Sequence, residues 1–156
     1  MGVASHIARL RGQVGHDLLL LPSVTVLPLD THGRVLLVRQ METGQWATVG
    51  GAVDVDETPA AAAHREAAEE IRTEVQLTGI LGVVGGPDFR VTYPNGDQCA
   101  YVSTVYAARI VGNAPRPDQD EVDKLEWFTR DQLRGDTDLG PFAAATFRAL
   151  GWLKPS

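Results

Sequence analysis

The chain has 156 residues, a formal net charge of −6 and a pI of about 5.1, with 44% hydrophobic and 22% charged residues. That is one ordinary globular domain, long enough to bury about 70% of its unfolded surface without a disulfide or metal staple. The acidic balance argues against a nucleic-acid-binding surface, no apolar run reaches the roughly 18 residues of a membrane span, and the single cysteine, Cys99, makes a reducing, cytoplasmic setting the expectation.

The opening residues lack a long apolar stretch and make a poor signal peptide. Ile7, Leu10 and Val14 stand at helical spacing, with Ser5 as N-cap, and predict a helix over 5–14. Residues 16–21 and 24–29 read as two strands around Pro22. Asp30-Thr31-His32-Gly33 is a turn signal, so 24–29 and 34–38 are expected to form a hairpin. A loop over 40–46 leads into a short strand, 47–49, and the glycine pair Gly50-Gly51. Thr58 before Pro59, followed by four alanines, predicts a helix over 58–72. Strands are expected at 74–86 and 88–93, with an Asn95-Gly96 turn returning the chain into a long strand, 98–111. An acidic, proline-bearing loop, 112–120, precedes a short strand, 125–129, a helical turn at 130–133 and a closing helix, 141–150. One long helix among many strands predicts an α/β fold with a mixed sheet.

Chemistry concentrates on the central helix. Glu66, Glu69 and Glu70 stand at i, i+3 and i+4, within an arc of roughly 100°. Like charges at this spacing repel. Ala63, Ala67 and Ile71 lie beside them and supply the buried stripe, so the acids flank the packing seam. Hard oxygen donors converging in a cleft suit Mg²⁺ or Mn²⁺; the competing reading is a solvated acidic face. Gly50-Gly51 allows close backbone approach to a ligand, and Glu57 with Arg65 makes an ion pair that would fix both loop and helix.

Read together, Gly51, five residues, Glu57, seven residues, then Arg65-Glu66-x-x-Glu69-Glu70 resembles the box of the Nudix hydrolase family, G-x5-E-x7-R-E-U-x-E-E-x-G-U with U a bulky apolar residue. All six polar and glycine positions through the paired glutamates match. Trp46 to Gly51, the Tyr93–Asp97 segment and Glu126-Trp127-Phe128 are similar to segments common in such domains. The chain departs from the pattern at Ala67 (a small U), at Val49 (often proline) and at Arg72-Thr73 (Gly-U in the family), which predicts a different helix ending.

The resemblance implies a single α/β/α sandwich with a central mixed sheet over 1–156, the first twenty residues being an extension. It implies hydrolysis of a pyrophosphate linkage in a nucleoside diphosphate joined to another group, by water attack on phosphorus with Mg²⁺ or Mn²⁺. Carried over by position, Glu66, Glu69 and Glu70 with the Gly50 carbonyl are metal ligands. Glu66 or Glu70 doubles as base, and Arg65–Glu57 is the orienting pair. Glu121 is the expected late-loop ligand, with Asp118 and Asp120 as rivals. Arg39, Trp46, Arg90 and Tyr93 are candidate substrate contacts, each with a packing or surface role as the competing reading. His64 is expected at the surface and Cys99 to be packed and inert. Asp54-Val55-Asp56 mimics a calcium loop, but Pro59 and Arg65 stand where glycine and glutamate are needed. A homodimer is expected, with the N-terminal helix covering a sheet edge or crossing to the partner. The alternative is a Nudix fold that binds a nucleotide or protein without turnover.

Overall fold

The computed structural model describes residues 5–156, so the first four residues of the expected N-terminal extension lie outside the described residues. Twelve labelled elements follow in chain order: α1 (Ser5–Val14), β1 (Leu19–Pro28), β2 (Val35–Gln40), β3 (Trp46–Ala47), β4 (Val49–Ala52), α2 (Pro59–Ile71), β5 (Val75–Val84), β6 (Arg90–Thr92), β7 (Gln98–Ile110), β8 (Val122–Phe128), α3 (Arg130–Arg134) and α4 (Pro141–Ala149).

Strands β4-β1-β7-β5 form one mixed sheet, with β6 also paired to β7. The β1–β7 ladder is parallel, and β4 on β1 and β5 on β7 are antiparallel. Strands β3-β2-β8 form a second, antiparallel sheet. Neighbouring residues on single strands go to two different interiors. Val24, Val26, Leu36 and Val38 pack with Ala62, Ala63, Ala67 and Ile71 of α2. Leu27, Val35, Leu37 and Val105 pack with Ala143, Ala145 and Phe147 of α4. Helices therefore cover opposite faces of the sheets, which is the expected α/β/α sandwich.

Four local expectations are corrected. Residues 24–29 and 34–38 do not form a hairpin ladder: β1 and β2 belong to different sheets, and their backbones pair only at the turn, through the Leu29–Val35 bridge and the Asp30 N–H on the Arg34 carbonyl. Strand β1 is buried between β4 and β7, and those partners outcompete a local return. Pro22 does not divide β1; it lies in register with Val102, and its carbonyl accepts from the Val53 N–H at 3.0 Å. The expected strand at 88–93 begins with a 3₁₀ turn, Pro87–Phe89, and only Arg90–Thr92 is extended. Strand β8 starts at Val122, because β2 offers pairing back to Gln40.

Helix α1 has no buried residue. Polar contacts hold it: Arg11 donates to the carbonyls of Gln98 (2.7 Å) and Asp17 (2.5 Å) and to Cys99 Sγ (3.4 Å), and His16 Nδ1 lies 2.7 Å from Asp97 Oδ1. Cys99 is buried, as expected.

Candidate active site

Helix α2 is set by its ends and its alanines. Thr58 Oγ1 accepts from the Ala61 N–H at 3.1 Å and Pro59 opens the first turn. The C-terminus corrects another expectation. Arg72 adopts φ 54° and ψ 36°, the left-handed turn that glycine takes in the family pattern, so the helix ends as it would with glycine. The ending is held from outside: the Ile71 carbonyl accepts from Arg116 N–H at 3.0 Å, and Thr73 Oγ1 donates to the Asn113 carbonyl at 2.5 Å.

The small residues on α2 bring it close to β4, and the glycine pair of β4 admits its carboxylates. A Cβ built on Gly51 would lie 2.3 Å from Glu66 Oε1, so a side chain there would displace the carboxylate from its present position. A Cβ on Gly50 would lie 2.2 Å from the Val24 carbonyl oxygen. The Gly50 N–H donates to Glu70 Oε2 at 3.0 Å, tying the far end of the helix face to the same strand.

Arg65 organises the near end. Its Nε donates to Glu57 Oε2 (2.7 Å) and its Nη2 to Glu57 Oε1 (2.9 Å) and to the Ala52 carbonyl (3.0 Å). Its Nη1 donates to Glu66 Oε1 at 2.9 Å and reaches Glu69 Oε2 at 3.4 Å. Glu57 Oε1 also accepts the Asp54 N–H at 3.0 Å, which fixes the loop before α2. One guanidinium thus links loop, strand and helix, using the planar fork that lysine lacks. The Glu57 hydrogen bond, against some desolvation, holds Arg65 above its usual range; the same bond holds Glu57 below its own.

Glu66 is the unusual member. It is fully buried, and while Oε1 sits on Arg65, Oε2 has no hydrogen-bond partner. Burial pushes its carboxyl up to about 7, opposed by Arg65 and assisted by the charges of Glu69 and Glu121. Glu70 is raised well above the carboxylate range by burial and by Glu66, with the Gly50 N–H opposing and Glu121 and Asp118 adding to the rise. Both residues therefore experience the late loop, 118–121, as a source of negative charge. Glu69 is half-exposed. Among the described residues no three His, Cys, Asp or Glu side chains are already gathered at metal-binding distance. Arg65 and Gly50 hold Glu66 and Glu70 on protein partners instead.

The other candidates have partners of their own. Arg39 makes a two-point pair with Asp123, at 2.9 and 2.6 Å. Trp46 packs edge-on against Phe128, with ring centroids 5.0 Å apart. The Tyr93 hydroxyl meets that of Tyr101 at 2.6 Å, and Arg90 is exposed on β6. His64 is exposed, as expected. Asp123 was not singled out in the sequence, because its relation to Arg39 spans 84 residues.

A Nudix domain model matches residues 19–150. The chain belongs to the Nudix hydrolase family. It is 27% identical over 111 residues to a MutT-like protein of Streptomyces ambofaciens, a match covering 71% of this chain, and it spans 65% of that relative's length. It is 29% identical over 113 residues to the nucleoside triphosphatase NudI of Enterobacter sp. (strain 638), covering 70% of this chain and 79% of that one. Among solved structures, the MutT Nudix hydrolase of Burkholderia pseudomallei superposes with a TM-score of 0.67 at 28% identity, covering 86% of this chain and 98% of the other. The Nudix box of this chain is thus the segment from Gly51 to Thr73 that joins β4, the Glu57 loop and α2.

Proposed function

We propose that this Nudix chain is a Mg²⁺- or Mn²⁺-dependent hydrolase that cleaves a pyrophosphate linkage in a nucleoside diphosphate joined to a second group. The observation that carries the reading is Glu66: a fully buried carboxylate with one oxygen on Arg65 and the other unpartnered. An ionised carboxylate in that position is costly unless a cation or donor completes it. The donor set is all hard oxygen, which fits these ions. Glu66, Glu69 and Glu70 would hold the metal, with Glu121 and the Gly50 carbonyl. The metal would neutralise substrate charge and acidify a bound water.

The chain's own residues do the rest. Arg65, anchored on Glu57 and Ala52, holds Glu66 at the strand. Gly51 leaves the space that carboxylate occupies. Glu66 or Glu70 would receive the proton of the attacking water, in its ionised form, which a cation held on the same carboxylates favours. A nucleotide substrate class is supported by family membership and by the nucleoside triphosphatase name of one relative. Cytoplasmic location and a homodimer belong to the same reading; no helix among the described residues is long and apolar enough to cross a membrane.

The test is a panel of nucleoside triphosphates, dinucleotide polyphosphates and nucleotide sugars assayed for phosphate or pyrophosphate release. Turnover is expected with Mg²⁺ or Mn²⁺ and is expected to stop with a chelator. Full activity in excess EDTA overturns the metal mechanism. Nucleotide binding without turnover in either metal supports the binding-module alternative.

A further inference from the structure

The loop between β7 and β8 carries a device that the metal reading does not use. Asp118 Oδ1 accepts three consecutive backbone N–H groups, from Asp120 (2.9 Å), Glu121 (3.0 Å) and Val122 (3.0 Å). Three donors on one oxygen fold residues 118–122 into a tight ring around that atom. Gln119, inside the ring, is held at φ 67°, a left-handed conformation that costs a residue with a side chain about 1–2 kcal/mol, and its N–H donates to the Val122 carbonyl at 2.9 Å. The ring is pinned at both flanks. The Glu121 carbonyl accepts the Met41 N–H at 2.9 Å, just beyond β2, and Asp123 is clamped by Arg39. Glu121 sits between these two ties, and its charge bears on both Glu66 and Glu70.

We propose that Asp118 is a positioning residue: it shapes the 118–122 loop so that Glu121 is presented to the carboxylates of Glu66 and Glu70. The inference rests on the metal-dependent reading above and names how its late-loop ligand is held. Asp118 acts through geometry, as an acceptor for backbone donors. Its own negative charge works against it, because that charge adds to the crowding around Glu70. Asparagine keeps the accepting oxygen and drops the charge, whereas alanine removes both. The Arg39–Asp123 pair is the second strut of the same loop, which assigns Arg39 a role on β2 that needs no substrate.

Mn²⁺ binding to the full chain, followed by electron paramagnetic resonance, and Mg²⁺-dependent turnover test the proposal together. For Asp118→Ala we expect Mn²⁺ affinity to fall about tenfold or more, the scale of losing a residue that orients a ligand. Asp118→Asn is expected to stay within about threefold of wild type, since its Oδ1 still accepts. Glu121→Gln should match Asp118→Ala, and the double variant should be no worse than either alone, because both changes remove one function. Far-ultraviolet circular dichroism and thermal melts establish that each variant is folded. Wild-type Mn²⁺ affinity in folded Asp118→Ala overturns the proposal, as does an Asp118→Asn variant as weak as the alanine, or additive losses in the double variant. If Glu70→Gln abolishes Mn²⁺ binding while Glu121→Gln does not change it, the metal reading stands and the loop proposal falls. If the wild type binds no Mn²⁺ at all, both fall.

Discussion

The two helices that cover the sheets bury themselves by opposite means. On the α4 side, Phe147 is fully buried and stacks on Trp152 with centroids 5.3 Å apart, Phe142 meets Phe89 edge-on at 5.2 Å, and the enclosed side chains are almost all apolar. On the α2 side the helix contributes alanines, an isoleucine and one carboxylate, Glu66, as deeply buried as they are. The first interior gains from area and packing and leaves little unsatisfied. The second forgoes large side chains so that the helix can lie against Gly50 and Gly51, and it holds a carboxylate whose second oxygen has no partner. The contrast separates a region that makes the fold stable from one that carries a local cost, which the proposed metal site would offset.

Four changes test that division. The largest effect on stability is expected on the α4 side. Phe147→Ala should cost about 3–5 kcal/mol in urea unfolding, from lost burial plus a cavity. The activity of the molecules that remain folded should stay near wild type. A fall in kcat with the fold intact would show that the two interiors are coupled.

Glu70→Gln should do the reverse. If Glu70 is a metal ligand as proposed, loss of its charge is expected to lower kcat at least about 100-fold, or about 2.7 kcal/mol. The amide can still accept the Gly50 N–H and carries no charge into a crowded site, so the melting temperature should stay level or rise. A near-normal rate would remove Glu70 from the metal site.

The pH dependence of the metal-free protein sharpens the comparison next. Glu66 rises from an ordinary 4.5 to about 7 in the folded state. Between those values the folded chain binds more protons than the unfolded chain, so this group's contribution falls as pH rises through that window. Glu57 has the opposite sign: its value is lowered by Arg65, so its contribution is present above 4.5 and is lost as pH falls through its folded value. Melting temperatures taken in EDTA from pH 4 to 8 should therefore decline over the upper part of the range, and Glu66→Gln should flatten that decline. An unchanged slope in the variant would assign it to other groups.

The smallest effect is expected at the end of α2. Arg72→Gly relieves a left-handed residue but loosens the unfolded chain, for a net gain of about 0.5–1 kcal/mol with activity unchanged. Thermal melts decide it, and a loss of stability would mean that the Arg72 side chain contributes more than its backbone costs.

How far the site was legible depends on where each partner lies in the chain. The spacing of Glu57, Arg65, Glu66, Glu69 and Glu70 lies within one loop and one helix, so helical geometry alone relates those residues. The Asp118 ring was legible in principle as an acidic turn, since aspartate commonly accepts backbone donors just ahead of it, but its importance depends on Glu66 and Glu70, about fifty residues earlier. For Arg39 and Trp46 the sequence left a substrate contact and a packing or surface role side by side, and the protein partners they have, Asp123 and Phe128, come from β8, more than eighty residues later.

The sequence by itself determined the helix of the Nudix box, from Thr58 at its cap to the alanines that fill it, and the order of acids along it, because capping, propensity and a period of 3.6 residues are local properties. It also determined the α/β class, through the alternation of one strong helix with many apolar strands. Only the tertiary structure decided which strands pair, sending β1 and β2 to different sheets where a hairpin was expected. It alone decided that Glu66 is fully buried with one oxygen unpartnered and that its carboxylate occupies the space beside Gly51 that a side chain would take. Those outcomes depend on desolvation and on close approach between β4 and α2, and neither quantity exists until the two elements are packed together.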